Sequence, residues 1–210
     1  MDKKEQILQI ALNMFGEKGF EGTSIRDLSA EAGINIAMIS YYFGSKDKLF
    51  EQVIEYKTAY LKTIFLEISQ NDSLSHIEKV DAVISHLVDR IFSFPPFHRL
   101  IHRELSLNHR QGSKNGMIDT LLGNSFLIRD ILNDGIKKGH FQKIDVELSV
   151  ATLFGTISQL TISEELCRKM IKRDEDFHPY EDKKFRKRIV EHLSNVMHSI
   201  LLKKETHSIS

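Results

Sequence analysis

Residues 23–50, TSIRDLSAEAGINIAMISYYFGSKDKLF, constrain this chain more than any other segment, because they spell two short amphipathic helices joined through a glycine. Thr23 or Ser24 is placed to cap the first helix, whose inward face is Ile25, Leu28 and Ala32 and whose Arg26, Asp27 and Glu31 stay in water. Gly33 permits the left-handed backbone of a tight turn. Asn35 then caps a second helix running from Ile36 to about Phe43. With Ile39 and Phe43 turned inward at i, i+4, the outward face carries Asn35, Ile36, Ala37, Ser40 and Tyr41, with Met38 at its edge or in the core. Such a face suits a DNA major groove, where apolar Ile36, Ala37 and Met38 match thymine methyls. Where the chain leaves this helix, Tyr41, Tyr42, Ser45 and Lys46 gather hydroxyls and one ammonium, groups that suit phosphate oxygens. Arg26 is the only arginine before Arg90. A guanidinium matches guanine O6 and N7 or a phosphate, so Arg26 is a candidate for either contact.

T-S-I-R-D-L-S-A-E-A-G followed by Y-Y-F-G-S-K-D-K-L resembles the DNA-binding domain of the TetR family of transcriptional repressors, over residues 1 to about 50. Beyond that point the likeness lies only in helical character and length. The resemblance implies an all-α protein: a three-helix helix-turn-helix DNA-binding domain at 1–48 and a helical effector-binding and dimerisation domain at 49–210. It implies that Thr23, Ser24, Tyr41, Tyr42 and Lys46 touch the DNA backbone. Tyr42 stands where histidine is frequent in the family and keeps a polar donor there.

The rest of the chain reads as helix throughout, about nine helices in all, since it shows 3.6-residue periodicity, only three prolines and no alternating strand pattern. A first helix from a possible N-cap at Asp2 to Lys18 is scaffold, and Phe20 plugs a small core. A long helix over 46–69 ties the DNA module to the remainder of the chain. Further helices are expected over 75–92, from Pro95 to about His109, and from Met117 to Lys138, with 111–116 as an exposed loop and Gly139 as a C-terminal cap. The last two helices, about 145–172 and 180–204, are the dimer candidates. Ala151, Gly155 and Ser158 allow close approach on one, and Phe185, Ile189, Leu193, Val196 and Ile200 recur along the other. Intrachain packing is the alternative for both stripes. The resemblance implies a four-helix interface between two copies, and a two-fold dimer implies a palindromic operator with half-sites about one DNA turn apart.

The resemblance also implies an effector cavity among the middle helices. Phe65, Phe92, Phe97, Ile101, Leu105, Phe126 and Phe154 are candidates to line it, although phenylalanines at helical spacing also build cores. His98 and His102 lie at i, i+4, a spacing compatible with a metal. The neighbouring Arg99, Arg103 and Arg110 argue against a cation and towards an anionic ligand, with a solvated helix face that holds no ligand as the alternative. Accordingly no metal and no cofactor is expected, and the effector is an unidentified small molecule.

Composition narrows the function class. Hydrophobic residues are 41% and charged residues 28%, as in soluble globular proteins. The lone Cys167 forms no internal disulfide, the start lacks a signal-peptide pattern, and the longest uncharged stretch, 148–163, is too short and polar for a bilayer. These features predict a cytoplasmic protein without membrane association. No Ser-His-Asp constellation, phosphate-binding glycine loop or HExxH motif is present, so a non-enzyme is expected. Charge fits a DNA binder least well. The chain balances 29 basic against 29 acidic residues, and residues 1–50 carry six basic against seven acidic ones. Binding must then rest on the placement of Arg26, Lys46 and Lys48. The sequence supports a sequence-specific DNA-binding repressor, homodimeric and released by an effector. The alternative is a helical ligand-binding or protein-interaction module whose DNA domain is non-functional or only a scaffold.

Overall fold

A computed structural model describes residues 2–106 and 111–203, and for 111–115 the backbone alone. Among the described residues there are ten α-helices and no strand: α1 (Lys3–Lys18), α2 (Ile25–Glu31), α3 (Ile36–Phe43), α4 (Lys46–Gln70), α5 (His76–Phe92), α6 (Pro95–Ser106), α7 (Gln111–Lys137), α8 (Val146–Thr161), α9 (Glu164–Met170) and α10 (Lys183–Leu201). Most starts are set by short polar side chains. Ser75 and Glu78 form a reciprocal capping box on α5, Asp145 caps α8, Ser163 caps α9 and Asp182 caps α10. Asp2 occupies the N-cap position of α1 but makes no side-chain cap bond.

Two expectations about the elements are corrected. The helix expected over 145–172 is two helices, because Ser163 is extended (φ −151°, ψ 135°) and its hydroxyl accepts the Leu166 N–H to open α9. The loop expected at 111–116 is the first part of α7. Two glycines lower helix propensity there by about 1 kcal/mol each. Tertiary contact outweighs this: Met117 is buried, and a Cβ at Gly116 would lie 3.7 Å from the Glu51 carboxyl group, so α7 approaches α4 closely. The end expected near 109 lies outside the described residues, as do His109 and Arg110, and the last helix, expected to reach about 204, ends at Leu201.

By packing, the chain divides into two compact units, Met1–Tyr60 with Phe94–Gly123 and Leu61–Ser93 with Asn124–Ser210. The core of the first gathers Ile7, Ala11 and Phe15 of α1, Leu28 of α2, Ile39 and Phe43 of α3, Leu49, Val53 and Ile54 of α4, and Leu100 of α6. Phe15, Phe20 and Phe50 meet at ring-centroid distances of 5.0–5.5 Å, so Phe20 does plug this core. The core of the second unit gathers Phe65, Val83, Ile84, Leu87, Phe92, Leu132, Leu153, Ile157, Phe185, Leu193 and Met197. No described helix is long and apolar enough to cross a membrane.

Candidate nucleic-acid interface

The interface is built from the hinge outward. Thr23 is fully buried, and its hydroxyl donates to the carbonyl oxygens of Gly19 (2.8 Å) and Met14 (3.2 Å). The hydroxyl thus ties the α1 end to the α2 start. This burial withdraws the Thr23 side chain from any set of groups that touch DNA. Ser24, rather than Thr23, is the cap of α2. Its Oγ accepts the Asp27 N–H at 3.0 Å and donates to Asp27 Oδ2 at 2.6 Å, while its own N–H donates to the same carboxylate oxygen at 3.2 Å. The Ser24 hydroxyl, and then its backbone N–H, hold the Asp27 carboxyl below the ordinary carboxylate range. Ser24 is exposed, yet its proton is already given to an anion. A phosphate would have to displace that bond.

Gly33 (φ +60°) makes the turn between the helices, with Ala32 buried beside it. Asn35 opens α3 by accepting the Ala37 N–H on Oδ1 at 2.9 Å. Ile39 and Phe43 are buried, and Asn35, Ile36, Ala37, Ser40 and Tyr41 are at least partly exposed. Ile36 keeps 42% and Tyr41 81% of its surface in solvent, large values for apolar and aromatic side chains in a well-packed head. Met38 lies at the edge of this face, half-buried and outside the core cluster. Tyr42 is half-buried and packs against the core, with its ring 5.3 Å from that of Tyr41.

Gly44 (φ +78°) ends α3, and the Ser45 hydroxyl accepts the Lys48 N–H at 3.2 Å to start α4. At this corner the Lys46 ammonium lies over the Phe20 ring, 4.2 Å from its centroid. That cation–π contact fixes the position of a charge that would otherwise swing on four methylenes. Lys48 and Arg26 are exposed, and the Lys4 ammonium lies 5.8 Å from the centre of the Phe43 ring. Sequence reasoning misses Lys4, because a pairing with a phenylalanine in a different helix leaves no local signal.

On the far side of α1, α6 packs close. A Cβ at Gly16 would lie 3.3 Å from Phe94 and from Pro96, and one at Gly19 (φ +79°) would overlap the Arg103 guanidinium. Gly16, Glu17, Pro96, Arg99, Leu100 and Arg103 line a cleft of about 480 Å³. A glycine inside a helix, as at Gly16, is the sign of this approach that the sequence offers.

The residues expected to hold an effector divide between the two units. In the first, Phe97 and Ile101 are buried in the core, Leu105 packs against it, and His98 and His102 are half-buried with their Nε2 atoms 3.1 Å apart. Burial, and then the neighbouring His102, push His98 down to about 3, and burial also lowers His102. In the second unit Phe65 and Phe92 are core, Phe154 packs against the core, and Phe126 is 46% exposed with the Arg129 guanidinium over its ring.

The stripe expected to form a dimer interface on α10 is corrected in part. Phe185, Ile189 and Leu193 are buried within the chain's own core, in register with Met197 and Leu201, and only Val196 and Ile200 remain half-buried. On α8, Ala151 and Gly155 are exposed and Ser158 is half-buried. The outward face of that helix runs through Leu148, Thr152, Gly155, Gln159 and Ile162.

Residues 7–53 match the family model described as bacterial regulatory proteins of the tetR family. The chain is 27% identical over 139 residues to the probable HTH-type transcriptional regulator YttP of Bacillus subtilis, covering 66% of this chain and 67% of that one. It is 31% identical over 112 residues to IcaR of Staphylococcus aureus, the HTH-type negative transcriptional regulator of the biofilm operon icaADBC, covering 53% of this chain and 58% of IcaR. The fold superposes on the transcriptional regulator FadR from Bacillus subtilis, solved in complex with stearoyl-CoA, with a TM-score of 0.71 at 19% identity, covering 90% of this chain and 97% of that one. With the helix-turn-helix geometry above, these likenesses identify residues 7–53 as a helix-turn-helix domain of the tetR family of bacterial regulatory proteins.

Proposed function

We propose that this regulator is a homodimeric repressor that sets α3 of each copy into the major groove of a palindromic operator and is released by a small-molecule effector. The observation that carries the reading is the exposed Ile36–Ala37–Ser40–Tyr41 face of α3, held by a hinge whose polar groups are internally bonded. A rigid hinge lets a short helix present its side chains without ordering cost on binding. Asn35, Ile36, Ala37, Met38, Ser40 and Tyr41 face base edges or the adjoining backbone. Tyr42, Lys46 and Lys48 meet phosphates, and Arg26 meets a guanine or a phosphate. Ser24 serves the backbone contact only through an exchange of its Asp27 bond.

The dimer forms through the outward face of α8, with Ala151, Gly155 and Ser158, and through Val196 and Ile200 of α10. The head's balance of charge makes one half-site a weak target, and two heads joined at a fixed spacing supply the missing affinity. The effector is apolar, anionic or both. FadR holds stearoyl-CoA, which combines the two characters. Phe97, His98, Ile101, His102 and Leu105 of α6 are its contacts. A coupling of about 1–3 kcal/mol between effector and operator is the usual scale for such release. The protein works in the cytoplasm, where its DNA is.

Selection of binding sites from random DNA by the purified full chain tests this reading. The expected product is an inverted repeat, bound more weakly by Lys46→Ala at every site and with relaxed preference by Arg26→Ala. Failure to enrich any site at low salt overturns it in favour of a ligand- or protein-binding module.

A further inference from the structure

The chemistry of α3 determines which bases it is able to read. Between Asn35 and Phe43 there is no Arg, Lys, Gln, Asp, Glu or His. The side chains that single out guanine by a bidentate pairing, or cytosine by accepting from its N4 amino group, are therefore missing from the reading helix. Asn35 is the one residue able to pair bidentately with adenine, which requires its carbonyl oxygen and its amide nitrogen together. That oxygen is committed to the Ala37 N–H at 2.9 Å, where it caps the helix. Breaking the cap would cost about 1 kcal/mol, much of what an adenine contact returns.

Apart from Asn35, the face offers apolar surface and two hydroxyls. Ile36 and Ala37 are the first two residues of α3, the end of a recognition helix that meets base edges. Both are exposed, Ile36 at 42%. Ser40 and Tyr41 come one turn later on the same face, and a hydroxyl forms single hydrogen bonds with any base pair.

We infer that α3 reads its half-site chiefly through thymine 5-methyl groups packed against Ile36 and Ala37, so that Ile36 is the specificity-determining residue of the helix. This inference rests on the operator-binding reading above and adds the class of base that is recognised. Any guanine in the half-site belongs to Arg26, the one guanidinium in residues 1–60, and lies outside the register of α3.

The test begins with the operator obtained by selection on the full-length protein. Thymines are then replaced one at a time by deoxyuridine, which removes the methyl group and leaves base pairing intact. A buried methyl is worth about 0.8 kcal/mol, which corresponds to roughly fourfold in affinity. Each thymine under α3 should lose about that factor, thymines elsewhere should lose nothing, and 7-deazaguanine should be tolerated under α3. Ile36→Ala, a change at an exposed position, should lose the discrimination at the thymine under Ile36 and keep it at a thymine under Ala37. An operator bound equally well with deoxyuridine overturns the inference while leaving the regulator reading intact. A loss on thymine-to-cytosine exchange without one on deoxyuridine would also overturn it, in favour of DNA shape as the feature read. Absence of any selected operator overturns the regulator reading itself.

Discussion

Thr23→Val separates a structural role from a DNA-binding one. Valine matches the shape of threonine, so the cavity is unchanged and the perturbation is the loss of one hydroxyl. In the native head that hydroxyl serves two buried carbonyl oxygens, of Gly19 at 2.8 Å and Met14 at 3.2 Å. A buried hydrogen bond contributes about 1 kcal/mol net, and an acceptor stranded without its donor costs about 1–3 kcal/mol. Met14 O lies in helix α1 and keeps its helical N–H partner, so the Gly19 oxygen bears most of the loss and about 1–2 kcal/mol is expected. In a chain of this size that lowers the melting temperature by roughly 2–8 °C. Circular dichroism at 222 nm reads the melt, and fluorescence anisotropy with the selected operator at 25 °C reads binding. Operator affinity per folded molecule should change less than about twofold. An affinity loss above tenfold with an unchanged melt would refute the reasoning, since it would place the hydroxyl on the duplex.

His98 supplies a pH dependence. Burial and His102 hold its folded value at about 3 against 6.5 in the unfolded chain, so between those values only the unfolded state binds the proton. Stability contributed by neutral His98 is complete above pH 6.5 and is lost as pH falls through that window. Chemical denaturation at pH 7.5 and 5.0 should show a smaller loss for His98→Gln than for the native chain, and equal losses would contradict the assignment. At Gly135 a Cβ would lie 2.3 Å from Cδ2 of the buried Phe141 ring, so Gly135→Ala should destabilise by about 1–3 kcal/mol, read as a lower urea midpoint. A Cβ at Gly155 meets nothing within 4 Å, so Gly155→Arg should leave the helical signal unchanged and shift sedimentation from dimer to monomer. A dimer that survives this change would move the interface off α8.

The parts of the molecule legible in the sequence are those set by local chemistry. Ser24, Asn35, Ser75 and Asp145 announce helix starts because a short side-chain oxygen reaches a backbone N–H two or three residues on. Gly33 and Gly139 announce ends because they take positive φ. The inward pair Ile39 and Phe43 is set by the helical period alone, and with it the outward face of α3. The parts that escape depend on which body covers a stripe. Phe185, Ile189 and Leu193 have the period of a helix with one buried face, and that period is the same whether the cover is a second copy or the same chain. The gap at Ile162 and Ser163 is equally hidden, since apolar spacing continues across it. Gly116 misleads for the opposite reason: a residue that disfavours helix in isolation is what allows α7 to approach α4.

A head with more acidic than basic residues must bind a polyanion through a few placed cations. Arg26 and Lys48 are exposed at the starts of α2 and α4, and Lys46 is held over Phe20 at the same corner as Lys48. Lys4 packs towards Phe43, and Asp27 and Asp47 sit beside the cations that remain. If each head neutralises phosphates with Arg26, Lys46 and Lys48, a dimer releases about six counterions, and the logarithm of affinity should fall with that of salt with a slope of about −5. Lys46→Ala should reduce the slope by about 2 in the dimer, one phosphate for each head. Titration of a fixed operator between about 50 and 300 mM salt gives both values. A slope steeper than about −8 would require cations beyond these three and would move the phosphate contacts onto Lys3, Lys4 and Lys18. A Lys46→Ala slope equal to that of the native chain would mean that the ammonium over Phe20 serves the fold and leaves the phosphate to Lys48.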